Sequence, residues 1–344
     1  MGTISETNPG VSYVYYEDYK IELMSNLLTL AYNAVMNLFG KKAGFSVLLK
    51  KHHVDILFGP LIDFPIFNIK TLIWIPDFQH LHFPEMFSLD ECQSRSSVIR
   101  KVAKKATRVV LISDAVKKDF ENFVPEYSKK AAVFPPLAYI EDSVYDMPPD
   151  VVLKRYNLPE KFIFLPNQFW KHKNHCLVLQ AIRLLREQGI SVTLVCAGSA
   201  HDYRNPTFFS RLLRKISEWN LRDNVIYLGL IPHDDVLLLI RQSVCVINPS
   251  LFEGFGFSVD EARSVGKKLI LSDIPPHREQ NAPAAEYFDP SSKEDLARII
   301  RTVWSETPPG PDAVLEKNAR KDYRHRVQKN IQTFNDLISD VMNK

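Results

Sequence analysis

PSLFEGFGFSVDEA, Pro249 to Ala262, sets two glutamates, Glu253 and Glu261, eight positions apart around the glycines at 254 and 256. The run before it, VCVINPS, is short, apolar and rich in β-branched residues, as a buried strand is. The run after it, SVDEARSVG, reads as a helix that ends at Gly266, a glycine placed where a C′ residue belongs. The order is therefore strand, glycine turn, helix. Glycines in such a turn let a ligand or another backbone approach closely. The amides that open the helix, with the positive end of its dipole behind them, make an anion site suited to a diphosphate. Each feature also has a plainer reading. Glu261 stands three residues after Ser258, the spacing of a capping box in which both side chains only satisfy helix amides. Glu253 is equally a solvated loop carboxylate, and three phenylalanines with two glycines equally make a packed turn.

Working outward, KFIFLPN, VTLVCAG, VIYLGLI, VCVINPS and KLILSD are short apolar runs ended by Pro, Gly, Asn or Ser. Helical patterns such as NHCLVLQAIRLLREQG and PTFFSRLLRKISEWN lie between them. Continuous apolar strands alternating with amphipathic helices predict a parallel sheet covered on both faces. VSYVYY, VDILFGP, TLIWIP, RVVLIS and AAVFPP predict a second set of strands in the first half. A helix is expected over about Tyr19 to Phe39, and another over SDAVKKDFENF with Ser113 as its N-cap. The fold class is α/β, with two Rossmann-like domains. The first covers 1–150, with the acidic, proline-containing YIEDSVYDMPPD (139–150) as linker; the second covers 151–325. A long amphipathic helix closes the chain, and residues 326–344 are free to pack back on the first domain. Ligands of open parallel sheets bind beyond the carboxyl ends of the strands, so the cleft between the domains is the expected site.

A chain of 344 residues with 45% hydrophobic and 24% charged residues has the composition of a globular protein. A net charge of +3 is too small to indicate nucleic acid. Charge is uneven, however: RSSVIRKVAKKATR (Arg95 to Arg108) holds six cations and no acid. It reads as a solvated helix face, or as a peripheral contact with an anionic membrane or a phosphorylated acceptor. The four cysteines have no CxxC or CxxH spacing and read as thiols of a reducing compartment. No apolar run reaches the ~18 residues of a membrane span. The N-terminal MGTISETNPG has neither a signal-peptide order nor, with Glu6 at the sixth position, a myristoylation pattern. A cytoplasmic location is expected, with any membrane contact peripheral at the inner face.

PSLFEGFGFSVDEA resembles the E-x7-E signature of retaining GT-B glycosyltransferases of family 4, which includes bacterial polysaccharide and lipid glycosyltransferases. FLPNQFWKHKNH, VTLVCAGS, VIYLGLIPHDDVLLLIRQSVCVINPS and GKKLILSDIPPHREQ resemble that family's neighbouring segments in the same order, so the resemblance covers about 160 to 300. It implies two parallel-sheet domains facing across a cleft and transfer of a hexosyl group from a UDP-sugar or GDP-mannose. The acceptor would be a saccharide or lipid-linked molecule in surface polysaccharide synthesis. Glu253 would contact the donor sugar and Glu261 the ribose hydroxyls. The backbone around Gly254, Phe255, Gly256 and Phe257 would hold the diphosphate and sugar. Lys173 would neutralise the diphosphate, and Gly198, Gly229, Leu230 and Ile231 would line the nucleotide by main-chain contacts. Gln168 stands where the family carries an arginine, so one positive charge is missing there; Lys171 and His172 are both candidates to replace it. The resemblance implies no metal and no other cofactor beyond the nucleotide sugar.

IPDFQHLHFPEMFS (Ile75 to Ser88) resembles the family loop at the sugar- and acceptor-binding edge, where His80 and His82 are both candidates to touch the donor sugar. A structural role is an equal reading for each, and His-x-His beside Asp77 and Glu85 also allows a metal. The first domain is shorter than usual for the family, and no glycine-rich loop follows VSYVYY. A partner subunit completing that domain is one consequence. Two other activities fit the same architecture: a nucleotide-sugar epimerase, and a non-catalytic sugar-nucleotide-binding subunit.

Overall fold

The computed structural model describes residues 51–60 and 69–343. The strand expected at VSYVYY and the helix expected at Tyr19 to Phe39 lie outside them. The chain divides into two compact units, Met1–Leu57 with Phe64–Ile69, and Phe58–Asp63 with Lys70–Lys344.

A four-stranded sheet runs β1 (Ile56–Pro60), β2 (Lys70–Ile75), β3 (Arg108–Leu111) and β4 (Ala131–Val133), in that spatial order. β2, β3 and β4 pair in parallel. The second sheet holds β5 (Ile163–Leu165), β6 (Leu194–Cys196), β7 (Val225–Tyr227), β8 (Val246–Asn248), β9 (Leu269–Ser272) and β10 (Ala285–Phe288). Its spatial order is β10-β9-β8-β5-β6-β7, and every pairing is parallel. The α/β architecture with two parallel-sheet domains is therefore as the sequence predicts. Every residue of β5, β8 and β9 is buried, which is why each reads as an apolar run, broken only by Asn248 and Ser272 at the ends of β8 and β9. Strand β10, AEYF, escapes that reading because it alternates at the sheet edge and buries only Phe288 fully.

Helices cover both faces of the second sheet. The Val178, Ile182 and Leu185 face of helix His175–Glu187 packs with Ile299, Ile300 and Val303 of helix Lys293–Glu306 in one cluster, while Leu238, Val259 and Val265 belong to another. In the first half, Ser113 caps helix Asp114–Phe123 by accepting from the Val116 amide, as expected. The cationic stretch forms most of helix Leu89–Lys105, which opens with a capping box between Ser88 and Glu91. Among its cations, Arg95 pairs with Asp77, Arg100 lies over Phe123, and Arg108 pairs with Asp340. The face is thus partly committed to the fold.

The segment at 139–150 is more ordered than a structureless linker. It contains a single helical turn, Ser143–Asp146, with Val144 buried and the Tyr145 hydroxyl donating to the Ser264 carbonyl at 3.0 Å. One turn is too short to show a period in sequence. The C-terminal helix runs Ala313–Met342, opening at an Asp312 cap ahead of the expected stretch. Gly266 lets it approach: a Cβ there would lie 2.6 Å from the backbone of Leu315 and Glu316. Farther along, Asn330 donates to Pro135, and the Phe334 ring meets Phe134 and Phe58.

Candidate active site

The second sheet changes direction between β5 and β8. The chain winds β5-β6-β7 to one side, then returns to place β8, β9 and β10 on the other. Loops leaving the carboxyl ends of two such neighbours diverge and open a crevice. The loop after β5 carries Gln168 to Lys173, and the loop after β8 carries Glu253. Their side chains meet there: Lys173 Nζ donates to Glu253 Oε1 at 2.6 Å. Ser250 Oγ donates to the same oxygen at 2.7 Å. Burial alone would raise the Glu253 pKa, but the charge of Lys173 and the hydrogen bonds from Lys173 and Ser250 outweigh it and hold it at about 2. Glu253 is therefore ionised and buried, not a solvated loop carboxylate.

Beneath this pair lies a buried polar network that periodicity does not reveal. Asn167 Nδ2 donates to Asn248 Oδ1 at 3.2 Å, Asn248 Nδ2 donates to Ser258 Oγ at 3.1 Å, and Ser258 Oγ donates to Asn167 Oδ1 at 3.3 Å. The network ties the ends of β5 and β8 to the first turn of helix Phe257–Ser264. Satisfied networks of this kind hold their members in one arrangement. His277 and Gln280, also missed in the sequence, complete the support. His277 is fully buried with its Nδ1 2.9 Å from the Ser272 carbonyl. Gln280 Nε2 donates to the carbonyls of Phe255 and Gly256 at 2.7 and 3.0 Å.

The capping box expected at Ser258 and Glu261 does not form. Gly256, at φ +95°, is the N-cap, so the helix starts at Phe257 and Ser258 falls two positions past the cap. Its hydroxyl is used sideways by the asparagines. Glu261 instead lies 2.8 Å from His233 Nε2. Burial raises its pKa, with the hydrogen bond from His233 opposing. His233 lies two residues after the candidates Gly229 to Ile231, so the base-side turn and the ribose-side carboxylate come together. Leu230 is exposed and Gly229 has φ +74°.

The two glycines of the opening stretch differ. Gly256 needs its left-handed backbone. Gly254 faces the first sheet: a Cβ there would lie 2.4 Å from the Pro76 carbonyl and 2.8 Å from Ile112 Cδ1. Ser113 Oγ donates to the Gly254 carbonyl at 2.7 Å, and Phe255 is buried in the core of the first sheet. Gly254 and Phe255 thus serve contact between the two sheets. Gly198 likewise admits the β5 loop, with a Cβ there 2.5 Å from the Asn167 carbonyl. Gln168 is exposed, while Phe257 is half exposed at the helix start.

His80 and His82 separate. His80 is 2% exposed, lies 3.2 Å from Ser96 Oγ, and is pushed down to about 4 by burial first and by the charge of Arg95. These are the surroundings of a structural histidine, although its buried Nδ1 has no hydrogen-bond partner. His82 is exposed, with Nε2 2.8 Å from Asp119 and its ring 5.1 Å from Phe252. Asp77 is taken up by the Gln79 amide and Arg95, and Glu85 faces Lys171 at 3.6 Å. No group of three metal-ligating side chains occurs among the described residues.

Burial, followed by the charge of Lys173, pushes His172 down to about 3, and burial also puts His175 at about 3. His80, His172 and His175 are therefore neutral when folded and take up protons near pH 6.5 when unfolded, and burial lowers His277 in the same direction. A depressed histidine pKa stabilises the fold above the unfolded value, and that contribution is lost as pH falls through the folded value. Stability should decline from pH 6.5 towards 3, by up to about 1.4 kcal/mol per pH unit for each histidine. Urea midpoints between pH 7.5 and 5 test this; a flat profile would contradict it.

Residues 154–322 match the family model described as glycosyl transferases group 1. That domain model covers just under half of the chain. The chain is 23% identical over 77% of its length to the O-antigen chain mannosyltransferase RfbU of Salmonella typhimurium, covering 69% of that protein. It is 24% identical over 70% of its length to the serotype-specific mannosyltransferase WbdA of Escherichia coli, covering 28% of that longer protein. The crystal structure of Anabaena HepE with UDP and glucose superposes with a TM-score of 0.68 at 19% identity, over 90% of this chain and 84% of that one. The domain and these relatives support a GT-B glycosyltransferase. The matched residues include both glutamates, Lys173, His233 and the buried asparagine network.

Proposed function

We propose that the protein transfers a hexosyl group, mannose being favoured by the named relatives, from a nucleoside diphosphate sugar to a saccharide or lipid-linked acceptor. The anomeric configuration is retained. The observation that carries this is the buried Lys173–Glu253 pair at the switch point of the second sheet. An ammonium with one of its three protons committed to Glu253 has two left for phosphate oxygens. Helix Phe257–Ser264 opens at Gly256 without a side-chain cap, so an anion at this turn would meet the positive end of its dipole. Together they stabilise the charge that develops on the leaving diphosphate. Glu253 then has an oxygen for donor-sugar hydroxyls, and Glu261 for the ribose. Protein cations supply what a metal would, so turnover needs no divalent ion.

A thermal-shift panel of UDP, GDP, ADP and their sugars, run in excess chelator, tests this reading. A ligand that binds only the folded state raises the melting temperature, by about 2.7 kcal/mol of added stability at a hundred times Kd. One nucleotide series should stand out. Chelator that abolishes binding or turnover, with recovery on adding manganese, would exclude the metal-free part.

A further inference from the structure

A nucleoside diphosphate brings at least two negative charges, while the switch-point turn offers Lys173, already paired, and a neutral Gln168. A second cation is close by. Arg204, in the loop after β6, has a side chain 7% exposed. Its Nε donates to Asp202 Oδ1 at 3.0 Å, and its Nη1 donates across to Gln79 Oε1 at 3.2 Å in the loop after β2. The guanidinium lies 4.9 Å from the Trp170 ring and 5.3 Å from Phe87. Aromatic faces on a planar guanidinium fix its orientation.

Three buried atoms of this node have no hydrogen-bond partner: Arg204 Nη2, Gln79 Nε2 and Asp202 Oδ2. Native structures rarely leave such groups unpaired, and two of these are donors. The node joins loops from the carboxyl ends of both sheets. It lies against Trp170, which directly precedes the Lys171–Lys173 turn, and the charge of Arg204 is felt at His172 in that turn.

We propose that Arg204 is a second cation for the donor diphosphate, its free Nη2 and Gln79 Nε2 donating to phosphate oxygens while Asp202 holds the guanidinium from behind. The assignment rests on the donor-site reading above. A guanidinium suits the task because its fork donates two parallel hydrogen bonds to phosphate. A strut joining the two sheets would share the cross-sheet contact but would not distinguish one phosphate from two.

Calorimetric titration of the full chain with a nucleoside, its monophosphate and its diphosphate separates these roles. Arg204→Gln should weaken the diphosphate about ten- to thirtyfold, as loss of a charged hydrogen bond does, and the nucleoside less than about twofold. Arg204→Lys, which keeps the charge and much of the packing, should recover part of the loss; it also serves if the glutamine variant does not fold. Equal weakening of all three ligands, or no weakening, overturns the assignment. If the wild-type chain binds no diphosphate more tightly than its nucleoside, the donor-site reading falls as well. Tight wild-type binding that Arg204→Gln leaves unchanged removes only the role of Arg204.

Discussion

Glu253→Ala should destroy turnover and destabilise the fold in the same protein. Its carboxylate is buried and holds Lys173, so truncation leaves an ammonium without its partner in a dry site. Removing one member of a buried pair costs about 3–5 kcal/mol. Turnover should fall at least a hundredfold, the scale of losing an electrostatic contact at the reacting group. Two further variants separate these effects. Glu253→Gln keeps the volume and the contact with Ser250, so it should recover much of the stability without the activity. Lys173→Met in the Glu253→Ala background removes the stranded charge, so it should recover stability and leave turnover absent. Urea midpoints and kcat/KM measured side by side decide the matter. Unchanged turnover in Glu253→Ala would remove Glu253 from the site. A stability change below about 0.5 kcal/mol would mean that the pair with Lys173 is not buried as described.

Low pH acts on the same pair. The Glu253 pKa is depressed, so its stabilisation is present above the unfolded value near 4.5 and is lost as pH falls toward about 2. That window lies below most of the histidine loss, so the two can be told apart in one acid titration.

The strands most legible in the sequence are those the structure buries on both faces. β5, β8 and β9 are buried at every position, and their apolar runs break only at the carboxyl ends, at Asn248 in β8 and Ser272 in β9. The site is legible in part for a related reason. Glycine and glutamate are unusual between a buried strand and a helix, so the turn after β8 draws notice. What surrounds it does not. Asn167, Asn248 and Ser258 have no period and no charge, and their meaning lies in contacts between distant loops. Arg204 is one arginine in a polar loop until the fold brings Gln79 against it. His80 and His82 sit two residues apart, yet one is buried and the other exposed, because a single helical turn points them to different sides. The capping box failed over two residues: Gly256 begins the helix early, and a hydroxyl two positions past the cap no longer reaches the amide it would cap.

Gly254→Ala should have the second large effect, although the change adds one methyl group. The backbone there does not have positive φ, so alanine meets no conformational penalty. The constraint is space: the new Cβ would lie 2.4 Å from the carbonyl oxygen of Pro76, a backbone atom that cannot swing aside. The turn must move off the first sheet, straining the hydrogen bond from Ser113 and the seat of Phe255. Such overpacking costs about 1–3 kcal/mol. Glu253 is the preceding residue, so the shift passes directly to the carboxylate that Lys173 holds. A displacement of about 1 Å in a positioning group costs on the order of a hundredfold in rate. Gly189→Ala is the control, with φ +80° and nothing within 4 Å of the added carbon. It should cost about 1 kcal/mol of backbone strain and leave kcat intact. If Gly254→Ala behaves like Gly189→Ala, the close contact between this turn and the first sheet is not what sets the geometry of Glu253.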